Sequence, residues 1–504
     1  MQKNKIISSL AYKFTEKILV KGLGLVIGII LARLLAPEIF GQLAILMVFI
    51  NLSKTIIDGG LNTALVQKKD VTEIDYSVVY YLSTGVSIII ILGLFFLAPA
   101  ISSFYNSPGL VWPLRAYSFV LLFGAFNSVQ VARLQKQMRF RSMMWANLIA
   151  TTIAGTLGIV CAYMGFGLWA LVIYNFSQIV FVSITMLFIV RWFPKLQFSG
   201  KRAKVLFGFG WKMLVSSMLC SLYNDIRSLV IGKKYSTEDL GYYNKGQQFP
   251  DVISQSLDQS IQSVMFPAMA SEQDRLDKIK NMFNRSLSIG ALVIMPVMAG
   301  FALVAEPFVS LVLTEKWLPC VFFLQMCCIA YMATPLVSTN LILIKSLGKG
   351  NTYMILELIR RVMMLVILVC SIVFFDSVKA IAVGFVISTW LDVFFVAVPT
   401  KKLIGVGVWG QFKQLWKTLL AVALMSVATW AVSLIPLGAT WIMLIQIVVG
   451  VLSYVGFSAL LKVESFFYIW KMVKKLFSKK RVKVAGEQPK QEQLENTQEK
   501  EDSN

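Results

Sequence analysis

The chain is 504 residues long, 57% of them hydrophobic, and its mean hydropathy is +0.71. That composition excludes a soluble monomer and points to a protein embedded in a bilayer, where about 20 mostly apolar residues make one span. A net charge of +22 would suit a nucleic-acid binder, but the cations sit in short connections between apolar stretches, so no nucleic-acid partner is expected.

In chain order, fourteen stretches are predicted to cross the membrane as helices: 18–35, 41–57, 78–100, 112–131, 143–164, 166–190, 205–231, 246–268, 286–313, 318–344, 351–374, 378–398, 415–436 and 440–461. The fold class is therefore all-α and polytopic. The first stretch does not read as a cleavable signal peptide, because Lys21 interrupts it and no small-residue cleavage site follows before Arg33. Cations such as Arg133, Lys136, Arg139, Arg141, Arg191, Arg202, Arg275 and Arg285 fall in even-numbered connections, whereas the odd-numbered ones hold chiefly Lys233, Lys234, Lys245, Lys316 and Lys379. The positive-inside rule then places both termini in the cytoplasm.

The connection from Arg191 to Lys204 divides the helices into an N-lobe of six (1–198) and a C-lobe of six (199–400), followed by two further helices (401–462). A displacement of 200 residues aligns Arg33 with Lys233 and Phe40 with Leu240, and makes identities of Glu38 and Glu238, Gly41 and Gly241, Phe49 and Phe249, and Asp58 and Asp258. Six intervening helices give both copies the same orientation, so the lobes are expected to be parallel pseudo-repeats around a central cavity. From 463 to 504 the chain is first basic and aromatic, reading as an amphipathic helix on anionic membrane lipid or as a topology-fixing flank, and then, from Glu487, polar and disordered.

There is no histidine, which removes the commonest general base and metal ligand, and the six cysteines read as apolar packing residues. No cofactor or metal site is expected. Charged groups inside spans are the informative set, since each costs about 2.5–3.5 kcal/mol at mid-membrane and must face protein or water. Lys21, Lys54, Arg115, Lys212 and Arg227 are the candidates for a cationic cavity, and Asp58, Asp225 and Asp392 for ion coupling. Lys54 and Asp58 can also pair along one helical face, as Glu357 can with Arg360 and Arg361, while Arg33 and Glu306 fit snorkelling at helix ends. The eighth stretch carries Gln255, Ser256, Asp258, Gln259, Ser260, Gln262 and Ser263, too polar for lipid and expected to line a hydrated pathway. Pro250, Pro267, Pro296 and Pro335 can kink or end helices that move.

Three stretches carry a family resemblance: LARLLAPEIFGQLAILMVFINLSKTIIDGGLNTALVQKKD (31–70), ARLQKQMRFR (132–141) and IGKKYSTEDLGYYNKGQQFPDVISQSLDQSIQSVMFPAMA (231–270). With these the chain resembles, over roughly 1–480, the polysaccharide-transport branch of the multidrug/oligosaccharidyl-lipid/polysaccharide exporter superfamily. The resemblance implies a V-shaped pair of lobes plus two helices that flip an undecaprenyl-diphosphate-linked oligosaccharide outward for lipopolysaccharide, capsule or exopolysaccharide synthesis. It also implies a cationic cavity, with Lys21 in the first-helix region where such a cation is found, and a polysaccharide polymerase or glycosyltransferase as a further partner.

By charge, a diphosphate head suits lysines and arginines, and an inside-negative potential favours moving it outward by about 2.3 kcal/mol per charge per 100 mV. Carboxylates binding a counter-ion are the alternative drive. Two rival functions are a cation-coupled drug antiporter of the same superfamily, which should prefer an acidic cavity, and a membrane-embedded polysaccharide polymerase. The polymerase needs a sizeable outer loop, whereas no outward connection here exceeds about 15 residues. No enzymatic activity is expected.

Overall fold

The computed structural model describes residues 19–471 apart from 59, 63–64, 66–70, 138, 196, 198, 437 and 469, and describes the backbone alone at 201, 205–210, 212, 213 and 216. Among the described residues the regular structure is helical, with no strand. Helix α1 takes residues 19–34, α2 Pro37–Asp58 and α3 Glu73–Phe104. A 3-10 turn at Pro108–Leu110 leads into α4 (Val111–Ser118) and α5 (Val120–Lys136), followed by α6 (Phe140–Tyr163), α7 (Leu168–Val190), α8 (Gly200–Lys234) and α9 (Thr237–Ala270). Then come α10 (Leu276–Leu303), α11 (Ala305–Val312), α12 (Cys320–Tyr331), α13 (Thr334–Ser346), α14 (Gly350–Phe374), α15 (Val378–Ile404), α16 (Val408–Val432) and α17 (Ala439–Leu460).

Each of the fourteen apolar stretches falls on one of these helices or on a consecutive pair. By length and composition nine segments among the described residues can cross a bilayer, and α12 with α13, bent by 40° at a short break, makes a tenth. The other four stretches lie on α1, described only from residue 19, and on α8, α9 and α14, which run for 35, 34 and 25 residues but are rich in charged or polar side chains.

The helices pack into two compact units. The first holds the described residues up to Val252 with Phe308–Leu324 and Val366–Gly384; the second holds Ile253–Pro307, Gln325–Leu365 and the described residues from Phe385. In the second unit Phe283, Leu287 and Met295 of α10 are fully buried against Leu336 of α13, Val393 of α15 and Leu415 of α16. In the first, Ile27, Leu31 and Leu35 pack on Ala170 and Leu171 of α7.

Residues two hundred apart in sequence meet inside the first unit. A Cβ on Gly41 would stand 1.6 Å from Thr237 O, and one on Gly241 would stand 2.1 Å from Pro37 O. The first turns of α2 and α9 therefore touch backbone to backbone, as corresponding positions of two copies do where a pseudo-twofold axis passes between them.

The connection from α7 to α8 is fastened to the start of α3. Trp192 Nε1 donates to Glu73 Oε2 at 2.8 Å, the Lys195 amide to Ser77 Oγ at 2.9 Å, and Arg202 Nη1 pairs with the fully buried Asp75 at 3.1 Å. Glu73 is held in turn by Arg133 at 2.8 Å.

Gly41→Ala and Gly241→Ala are expected to lower stability by about 1–3 kcal/mol or more, because backbone atoms cannot give way. Gly85→Ala, with nothing within 4 Å of the new methyl, should be neutral. Thermal unfolding in detergent, followed by size-exclusion chromatography, separates the two outcomes.

Candidate functional site

Ser236 caps α9: the Asp239 amide donates to Ser236 Oγ at 2.9 Å and the Ser236 hydroxyl donates to Asp239 Oδ2 at 2.7 Å. The helix consequently begins at Thr237 rather than at 246. This corrects the place of Lys245, expected in an outward connection and found in the third turn of a helix. Its side chain is only 4% exposed. The ammonium donates to Gly28 O at 3.1 Å and stands 4.8 Å from the Phe40 ring centre and 5.9 Å from those of Phe249 and Trp317. One of three donors is thus spent on the protein and the charge is offset by ring faces.

A pocket of about 430 Å³ opens beside it, lined by Lys245 with Lys21 from α1, Tyr174 and Asn175 from α7, and Asn244 and Gln248 from α9. The α9 contribution, Gly241, Asn244, Lys245, Gln248 and Val252, follows the i, i+3, i+4, i+7, i+11 spacing of one helical face. That polar face is the signal in the sequence that identifies Lys245 once the helix start is set at the Ser236 cap. Two ammonium groups, two amides, a further carboxamide and a phenol around one pocket make a site for an anionic, hydroxyl-rich group.

Of the other cationic candidates whose side chains are described, none lines this pocket. Lys54 is half-buried on α2, one turn before Asp58. Arg227 donates to the Tyr243 hydroxyl at 3.2 Å. The Lys212 side chain lies outside the described residues. Arg115 has a structural partner: its Nε donates to Phe95 O at 3.0 Å, and its guanidinium stacks 4.3 Å from the Phe95 ring centre. Pro99, inside α3, lacks the N–H that would bond that carbonyl, so Arg115 fills the gap.

The polar run of α9 continues into the second unit. Asp258 accepts from Gln262, both carboxylate and amide being half-buried, while Gln255 and Gln259 are exposed. Asp225 is half-buried on α8. Asp392 is committed: Arg360 bonds it at 3.0 Å and Glu357 at 2.8 Å, with Arg361 on Glu357 at 3.3 Å. The pairing of Glu357 with both arginines matches the expectation from their spacing.

Arg360→Met leaves Asp392 and Glu357 under-compensated at 15% and 23% exposure and is expected to cost about 3 kcal/mol of stability. Arg115→Met, by freeing the Phe95 carbonyl, should cost about 1–3 kcal/mol. Both are read as a lowered midpoint of thermal unfolding in detergent, and an unchanged midpoint for Arg115→Met would return that residue to the cavity candidates.

The profile of a family described as "Polysaccharide biosynthesis protein" matches residues 30–322. Among curated relatives, the lipopolysaccharide biosynthesis protein WzxC of Escherichia coli (strain K12) is 26% identical over 333 residues, 65% of this chain and 67% of the relative. The succinoglycan biosynthesis transport protein ExoT of Rhizobium meliloti (strain 1021) is 24% identical over 335 residues, 66% and 67% of the two chains. The fold is similar to that of the lipid II flippase MurJ in an inward closed conformation, with a TM-score of 0.72 at 15% identity over 90% of this chain and 98% of that one.

Proposed function

Because the chain belongs to the Polysaccharide biosynthesis protein family, whose profile covers more than half of it, we propose that it is a flippase. It moves polyprenyl-diphosphate-linked oligosaccharide units across the cytoplasmic membrane for lipopolysaccharide, capsule or exopolysaccharide synthesis, and is a transporter rather than an enzyme. The observation that carries this reading is Lys245, a lysine buried on a membrane helix, with its charge turned to ring faces and a polar pocket shared with Lys21.

Keeping an ammonium group out of water is costly. The arrangement is worth that cost where an anion arrives periodically to meet the charge. A diphosphate brings about two negative charges that cannot cross hydrocarbon bare, and Lys245 and Lys21 replace part of its lost hydration. Tyr174, Asn175, Asn244 and Gln248 supply the aromatic face and the amides that sugar hydroxyls pair with, and the prenyl tail stays in lipid. A cationic drug would meet repulsion in the same pocket, which disfavours the antiporter reading.

The two lobes, 1–198 and 199–400, work as parallel repeats that expose the pocket to each side in turn, and the Gly41–Gly241 contact supports that division. Lys54, Arg227 and Lys212 extend the cationic path. The run Gln255, Asp258, Gln259 and Gln262 is its hydrated wall. Asp58 and Asp225 are the carboxylates an ion-coupled step would use, whereas Asp392 serves its arginine. Both termini face the cytoplasm. The basic tail after 471, outside the described residues, meets anionic lipid there and is the place for a polymerase or glycosyltransferase to dock.

In proteoliposomes holding an undecaprenyl-diphosphate-linked oligosaccharide, Lys245→Met and Lys21→Met are expected to slow transbilayer movement at least tenfold. Arg115→Met protein that remains folded should keep moving it. An imposed potential, negative on the side of loading, should speed the wild type. Wild-type rates from both lysine variants would overturn the diphosphate reading.

A further inference from the structure

The last carbonyls of a helix lack intrahelical donors and carry the negative end of its dipole, so each helix C-terminus needs a donor from elsewhere. At one end of the first unit those donors are cations from other helices. Arg33, at the end of α1, donates from Nε to Val312 O at 2.8 Å and from Nη2 to Leu311 O at 2.5 Å, closing the end of α11. In return Lys316 gives its ammonium to Arg33 O and Leu35 O, both at 2.8 Å, and the buried Trp317 indole bonds Ala32 O at 2.8 Å, closing the end of α1. On the other side Lys233, at the end of α8, donates to Phe104 O at 2.6 Å and stands 4.2 Å from the Phe104 ring centre, closing the end of α3.

We propose that these bonds form a latch that holds the outer side shut in this conformation and must open for the outward-facing step. The proposal rests on the flippase reading for orientation and for alternating access. Two features separate it from ordinary capping. First, each bond joins residues on opposite sides of the division at 199, and it does so in both directions: Arg33 of the N-lobe holds a C-lobe helix end, and Lys233 of the C-lobe holds an N-lobe helix end. Second, Arg33 and Lys233 are the same position of the repeat, so the device is present twice, related as the lobes are.

The chemistry suits a contact that opens. Arg33 and Lys233 are exposed, so water takes over these two donors and the carbonyls they hold when the helix ends part. The Gly41–Gly241 contact follows directly after the latched ends of α1 and α8 and brings the same two halves together without side chains. Between them, the glycines set how near the halves come and the cations hold them there.

The test uses the full chain in nanodiscs, with native cysteines replaced and spin labels at Ser103→Cys and Leu318→Cys, one on each lobe beside the latch. Double electron–electron resonance should give one short distance for the parent. The variant carrying Arg33→Met, Lys233→Met and Lys316→Met should raise the population of longer distances at least fivefold, and Lys233→Arg with Lys316→Arg should keep the short one. An unchanged distribution in the methionine variant, or the same shift in the arginine variant, overturns the latch. If the triple variant does not elute as folded protein, Arg33→Met and Lys233→Met singly are read against the same criterion. The distance needs no glycolipid, so failure of the flippase reading shows separately as absence of transport by the wild type.

Discussion

A backbone carbonyl freed from its helical partner within a bilayer has no water to turn to, and at several breaks the fold depends on a side-chain donor from another helix. Prolines make the demand visible. Pro296 removes the bond to Leu292 O, and the Tyr454 hydroxyl of α17 supplies it at 2.8 Å; Pro99 does the same to Phe95 O, and Arg115 answers. Breaks between helices are met likewise, with Gln325 on Ala302 O before α11 and Trp390 on Ile329 O before the bend between α12 and α13. Kinked helices are thereby tied to particular neighbours. The two C-terminal helices are part of this economy rather than an appendage, since Tyr454 belongs to the last of them.

Charge follows the same rule on a larger scale. Arg360, Arg361, Glu357 and Asp392 neutralise one another between α14 and α15, and Asp75 collects Thr72 and Arg202. Lys245 is the contrast. Its partners are a carbonyl and three ring faces, which lower the cost of the charge without cancelling it. A group left in that condition keeps its attraction for an anion, which is what the transport reading asks of it.

Hydropathy made the helices legible, since all fourteen stretches lie on helix, and i, i+3 and i, i+4 spacing made the Glu357 cluster legible. The identities two hundred residues apart align Gly41 with Gly241, but not even that alignment says that the two would touch. Lys245 was missed because GYYNKGQQ is polar enough to read as a loop when a span is judged by hydropathy; the capping pair Ser236 and Asp239 shows that the helix had already begun. The partner of Arg115 was hidden for a different reason. Sequence shows a charge near an apolar stretch, but the carbonyl that holds it is exposed by a proline on another helix, and that pairing exists only once the chain has folded. Whether Arg33 points to lipid head groups or to a neighbouring helix end is likewise decided by tertiary structure.

The fastening of the α7–α8 connection onto α3 sets a mechanical limit. Lys195 and Arg202 are both anchored at the start of α3, and the chain between them, fully extended, spans about 25 Å at ~3.5 Å per residue. While the Lys195 amide stays on Ser77, the leading end of α8 stays within that leash of α3, and it stays far closer while Arg202 holds Asp75. The stroke at this end of the protein is therefore bounded by covalent length, with an ion pair as its first stop.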